Sequence, residues 1–257
     1  MRLFYPFSLL LSIEDASASL FLSSLLLSLS LKCISYYRKQ RKEEIEFVNH
    51  YEKEIENNNC VEIDLLPMEI SYTMIGAISS ITFYQGDVPS SIIIERLKEI
   101  LRVNSWLAGR LIKRTGKQLQ LIYPKEFSES KLHKHFHEVN IFNYNLPKDQ
   151  QFSEHYQTQT LLNHVEPYFV KRGYQCINKD EPLFNIIIIK VFDEENQPPN
   201  KTAFVMSLCH TIGDGKDFYT IYSFFHPHRS IYPLNPIRDL SFPTTEAEEI
   251  TSCALLP

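Results

Sequence analysis

The sequence predicts an α/β fold on three observations. Patterns of period two and period 3.6 alternate along the chain, two aliphatic runs of strand length lie late in it, and the second run breaks at a histidine into a short helical pattern. With 257 residues, 44% of them hydrophobic and 22% charged, the chain has the length and composition to close a globular core.

Residues 1–35 stand apart in composition. Leu3–Ile13 is apolar, Glu14 and Asp15 interrupt, and Ala16–Leu31 is almost entirely Leu, Ser, Ala and Phe. The second run would be about 24 Å long as a helix, somewhat short of a full bilayer span. Lys32, Arg38, Lys39, Arg41 and Lys42 follow it while only Arg2 precedes it. If residues 16–31 insert, that asymmetry places the rest of the chain on the cytosolic face of a membrane. A cytoplasmic protein, a secretory signal with Leu3–Ile13 as its core and Ala16-Ser17-Ala18 as its cleavage site, and a mis-assigned start stay open beside this reading.

Residues 36–60 are charged with helical spacing and end in Asn57-Asn58-Asn59, which predicts a solvated helical linker. The domain proper is expected over 61–226. Ile78–Tyr84 has the pattern of a strand, and Pro89–Val103 that of an amphipathic helix with Ile93, Leu97, Ile100 and Leu101 on one stripe. Leu119, Leu121 and Tyr123 alternate as a strand, Phe136–Ile141 is a further strand candidate, and Ser153–Lys171 returns to helical spacing. Ile186–Phe192 and Ala203–Leu208 are continuous aliphatic runs, expected as interior strands buried on both faces. Asp217–Phe225 completes the pattern as a short helix. Prolines and acids dominate residues 227–257, which predicts the start of a crossover loop.

Several functions are disfavoured at this stage. A net charge of -5 with no large basic face argues against nucleic acid as a partner. The five cysteines lie far apart with no C-x-x-C pair, which fits neither a disulfide framework nor a zinc knuckle. His133, His135 and His137 would share one face of a strand and could hold zinc. Lys131 and Lys134 flank them, however, and only Glu138 is at hand to orient a ligand, so a solvated loop without metal is expected.

The most informative residues are Cys209-His210-Thr211-Ile212-Gly213-Asp214-Gly215, an H-x-x-x-D-G pattern where the second aliphatic run turns into helix. A strand that ends at once in a turn and helix fixes an imidazole on rigid elements, as proton transfer requires. A neutral imidazole accepts a proton from a hydroxyl or amine near physiological pH, so His210 is the candidate base. Asp214 falls where the helix starts and is expected to cap it or to pair with an arginine, while Gly213 and Gly215 would permit tight backbone packing. Cys209 points away from His210 along a strand and is expected in the core. The competing reading of His210 is a buried histidine satisfied by backbone partners.

His210–Gly215 resembles the H-x-x-x-D-G signature of the acyltransferase superfamily that contains chloramphenicol acetyltransferases, non-ribosomal condensation domains and BAHD acyltransferases. Trp106-Leu107-Ala108-Gly109-Arg110-Leu111 is similar to the P-L-A-G-R-L segment of BAHD members, with Trp106 in place of proline. Glu181-Pro182-Leu183-Phe184 resembles the entry to the strand that precedes the histidine. The resemblance covers roughly residues 61–225. It implies a chloramphenicol acetyltransferase-like two-layer sandwich, of which this chain holds the N-terminal subdomain of the usual two. It also implies acyl transfer from a coenzyme A or carrier-protein thioester to a hydroxyl or amine of a small acceptor. His210 would act as general base, with no covalent acyl-enzyme, no metal and no cofactor beyond the thioester co-substrate. Two features depart from the pattern: Cys209 stands where some members have a first histidine, and the second half with its D-F-G-W-G motif is not in this sequence. Either a homotrimer or a missing C-terminal half would complete the site, and the alternative is an inactive truncated half or a binding module.

Overall fold

The computed structural model of the chain describes residues 16–142, 165–194 and 197–236, with side chains from residue 28 onward. It is a mixed α/β protein with two sheets, as the alternation predicts. The chain divides into two compact units, residues 1–46 and 47–257.

In the first unit the described residues are helical and largely exposed, with Lys39 and Glu43 paired one turn apart. They belong to helix α1, which runs from Ala16 to Glu56. The apolar stretch and the charged linker are therefore one helix, because Leu-, Ser- and Ala-rich sequence and Lys/Glu-rich sequence both support helical backbone. Among the described residues no helix is long and apolar enough to cross a membrane, so the expected anchor over 16–31 gains no support. Leu3–Ile13, the core of the signal reading, lies outside the described residues.

In the second unit α1 ends at the asparagines. Asn58 takes a φ of 60°, the left-handed conformation that asparagine tolerates best after glycine. Asn59 N–H donates to Glu54 O and Asn58 N–H to Ile55 O, which satisfies the last carbonyls in a Schellman arrangement. Tyr51 in the last turns packs with Ile112 and Ile122.

These two isoleucines belong to the smaller sheet, antiparallel in the order β1-β4-β3, formed by β1 (Cys60–Asp64), β3 (Arg110–Lys113) and β4 (Leu119–Pro124). Its opposite face carries Leu111, Leu119 and Leu121 into the main core.

The larger sheet has the order β2-β7-β6-β5, formed by β2 (Ile78–Gln85), β5 (Phe136–Phe142), β6 (Phe184–Phe192) and β7 (Lys201–Leu208). β5 runs parallel to β6, and the other pairs are antiparallel. The two aliphatic runs are its central strands and are buried on both faces, which is why neither shows alternation. Ile186, Ile188, Phe204, Met206 and Leu208 face the main core, where α3 (Ser90–Val103) presents Ile93, Leu97, Ile100 and Leu101. Ile187, Ile189, Ala203 and Val205 face the other way, against Ile141 and Val165.

Three shorter helices complete the description: α2 (Pro67–Tyr72), α4 (Gly173–Cys176) and α5 (Gly215–Phe224). α5 starts two residues earlier than its sequence pattern and buries Phe218, Ile221 and Phe224. Of the helix expected over 153–171, residues 153–164 lie outside the described residues, and Glu166–Tyr168 is a single 3-10 turn.

The histidine-rich segment corrects an expectation. It is not a solvated loop: a 3-10 turn covers Glu129–Lys134, β5 starts at Phe136, and His135 between them is 1% exposed. Pairing of β5 with β6 draws His135 inward, and its Nδ1 lies 2.8 Å from Phe184 O, so this nitrogen carries the proton and donates. Among the described residues no group of three or more His, Cys, Asp or Glu is placed to hold a metal.

Candidate active site

β7 delivers His210. The ladder extends one residue past Leu208, since Cys209 N–H donates to Leu183 O, and the chain then turns with Ile212 N–H donating to Cys209 O. Leu183 lies in the Glu181–Phe184 segment, so two of the segments singled out in the sequence meet at this turn. Asp214 caps α5: Asp217 N–H donates to Asp214 Oδ1 at 2.9 Å, and Asp217 Oδ2 accepts from Asp214 N–H at 3.4 Å. The aspartate thus satisfies the helix start that follows the histidine.

Close packing around the turn applies at Gly213 and not at Gly215. A Cβ on Gly213 would meet Leu208 Cδ2 at 2.9 Å, whereas one on Gly215 would meet nothing within 4 Å. Gly173 shows the tightest approach, its Cβ position lying 2.4 Å from Thr211 Oγ1 and 2.9 Å from Thr73 Cα. Tyr174 N–H also donates to Thr73 O. The start of α4, the end of α2 and the turn after His210 therefore lock together.

α2 contributes a residue that the sequence does not signal. The ring of Tyr72 lies 4.8 Å from the His210 ring, tilted by 44°. Pro67 at the first helical position and Glu69, whose Oε2 accepts from Leu66 N–H at 2.8 Å, start this short helix. Thr73 Oγ1 donates to Ile70 O at its end.

His210 itself is half-buried, and its Nδ1 is buried with no hydrogen-bond partner. His135 behaves oppositely: it is bonded to backbone, and burial lowers it to about 4, helped by the charges of Arg110 and Lys134. His135 fits the description of a backbone-satisfied core histidine, and His210 does not. Cys209 is 1% exposed, and burial raises its thiol against the opposing hydrogen bonding of Thr211. A buried protonated thiol is no nucleophile.

Trp106–Leu111 is built into the fold. Trp106 is buried, and a Cβ on Gly109 would come within 2.6 Å of Leu121 Cδ1 and 2.9 Å of Trp106 O. Arg110, 2% exposed, donates to Ala108 O, to Gly109 O and to Asp180 Oδ1 at 3.0 Å. Asp180 also pairs with Lys134. Partial burial alone would raise the Asp180 carboxyl, and Lys134 and Arg110 overcome this to hold it below the usual carboxylate range.

No family model matches the sequence, and no curated protein matches it. Among solved structures the chain is similar to the starter condensation domain of rhizomide synthetase RzmA, at 13% identity over 76% of this chain and 44% of that one, with a TM-score of 0.45. Condensation domains are its structural neighbours. One from the enacyloxin polyketide synthase, which mediates chain release, matches at 13% identity and a TM-score of 0.40, over 70% of this chain and 30% of that one. The EpoB cyclization-docking bidomain from Sorangium cellulosum matches at 14% identity and 0.45, over 77% and 40%. The chain spans less than half the length of these structures. Likeness at this level leaves activity to be argued from the chain's own residues.

Proposed function

We propose that this chain forms half of an acyltransferase site, moving an acyl group from a coenzyme A or carrier-protein thioester to a hydroxyl or amine, with His210 as general base. In this reading a ring nitrogen of His210 takes the proton of the acceptor as the acceptor oxygen or nitrogen attacks the thioester carbonyl. The tetrahedral intermediate then expels the thiolate, and the proton carried by His210 passes to that sulfur. No bond between acyl group and protein forms at any stage.

The observation that carries the proposal is the contrast between the two histidines. A buried ring nitrogen without a partner forgoes a hydrogen bond that folding normally supplies, and a reactive role is one physical reason for leaving it so. The turn that holds His210 is rigid on three sides, through the Asp214 cap, the Gly173 contact and the Cys209–Leu183 bond.

A second reading is an inactive half or a binding module, in which the residues around His210 hold a ligand without acyl transfer. A complete channel would come from a further half or from a homotrimer. The deciding experiment measures thiol release from acyl-coenzyme A with an alcohol or amine acceptor, alongside native mass, for the full chain and for His210→Ala. Turnover lost in the variant supports acyl transfer. Equal turnover in both overturns the role of His210, and a folded monomer without turnover favours the second reading.

A further inference from the structure

A cavity of about 990 Å³ opens between the start of α3 and the end of α5, with Phe204 of β7 and Tyr84 of β2 among its lining. Its volume is that of a small-molecule site. Phe204 lies in the middle of β7, and neither His210 nor Tyr72 lines the cavity, so this is not the His210 site.

The lining divides by chemistry. Val88, Ile92, Ile93 and Phe225 form an apolar wall, while His226, His228 and Arg229 supply basic groups, and no lining residue is acidic. None of these three basic side chains has an ion pair among the described residues.

The basic segment is fixed rather than loose. Arg96 of α3, with its side chain 17% exposed, donates through Nε to Phe224 O at 2.6 Å and through Nη2 to His226 O at 3.4 Å and to Arg229 O. These bonds satisfy carbonyls at and beyond the end of α5, where helices leave them without partners. A segment already held in place loses little further freedom when a ligand arrives.

We propose that this cavity binds an amphipathic anion, an aliphatic or aromatic carboxylate whose apolar body packs on Ile92, Ile93 and Phe225 while its carboxylate meets Arg229. The charge balance selects this occupant: a neutral apolar molecule would leave the basic edge unused, and a cation would be repelled by it. The inference stands apart from the acyl-transfer reading, because it concerns binding alone and uses none of the residues around His210.

Calorimetric titration of the full chain with dodecanoate, kept below its micelle concentration, and with dodecan-1-ol tests it. One dodecanoate per chain is expected, with the alcohol at least tenfold weaker. Arg229→Ala should weaken dodecanoate at least tenfold and leave the alcohol within twofold. Ile92→Glu places a carboxylate on the apolar wall at a residue already 62% exposed, so it should abolish dodecanoate binding while the circular dichroism spectrum stays native. His210→Ala should bind like the parent. Equal affinity for acid and alcohol, dodecanoate affinity unmoved by both substitutions, or no binding to the folded parent chain would each overturn the proposal.

Discussion

Tyr72 and His210 face each other with ring centroids 4.8 Å apart, though one closes a six-residue helix and the other lies in the turn after a central strand far along the chain. An aromatic face beside an imidazole limits the orientations the imidazole can take, and general-base catalysis depends on that limit. Tyr72→Leu is expected to remove the ring-current shift on the His210 proton resonances. It should also lower the kcat of any acyl transfer about tenfold with little change in thermal midpoint. An unaltered His210 spectrum in the variant would show that the two rings do not associate in solution.

Asp214 is placed to act through the helix, not on a substrate. Asp214→Ala should cost about 1 kcal/mol in urea unfolding, the usual loss for an N-cap, while Asp214→Asn should recover most of it. Activity should follow stability in this pair; a large loss of activity in Asp214→Asn at unchanged stability would mean that the carboxylate does more than cap.

The two tight glycines around the His210 turn should differ in tolerance. A methyl at Gly213 meets the movable end of the Leu208 side chain, whereas one at Gly173 meets Thr73 Cα, which cannot move without the backbone. Gly213→Ala is expected to cost about 1 kcal/mol and Gly173→Ala about 3 kcal/mol, within the range for overpacked interiors. Chemical denaturation of both variants checks the order, which a more stable Gly173→Ala would reverse.

His135 sets an acid limit on stability. Its folded-state value of about 4 lies below the ordinary 6.5, so between those values the unfolded chain binds the proton more readily. The stabilisation is complete above about pH 6.5 and is lost as pH falls toward 4, amounting to about 3 kcal/mol across the window. His135→Gln should flatten the stability profile there, as measured by thermal midpoints from pH 7 to pH 4. A parent-like slope in the variant would move the cause elsewhere.

Asp180→Asn leaves the Arg110 guanidinium buried on two backbone carbonyls without a counter-charge. Because the Asp180 side chain is 49% exposed and water screens the pair, the expected loss is about 2 kcal/mol, less than for a fully buried pair. Asp180→Glu should restore part of it in the same denaturation assay.

How much of this could be read in the sequence varied with the physics of each element. β6 and β7 were legible because strands buried on both faces need uninterrupted aliphatic side chains, and the α3 stripe because its buried positions recur at helical spacing. β1 was not, since Cys60–Asp64 is only half-buried and five residues long. The change from leucine-rich to charged sequence suggested a boundary that α1 ignores, since helical backbone does not require uniform polarity. His135 was hidden by its lysine neighbours, and only the β5–β6 pairing reveals its burial. At the candidate site the strand, the turn and the cap were written locally in residues 203–217. Tyr72 and Gly173 were not, because they approach the turn through tertiary packing that leaves no periodic trace.

β2 pairs along its whole length with β7, which lies roughly 120 residues downstream, a separation that places the closure of this sheet late in folding. During synthesis the edge strand must therefore wait, unpaired, until β7 has emerged from the ribosome. Its exposed residues Phe83 and Tyr84 make that waiting segment adhesive. Nascent chains halted before Lys201 should depend on chaperones far more than chains released after Leu208, so yield in the cell is governed by β7, the last of the described strands to be made.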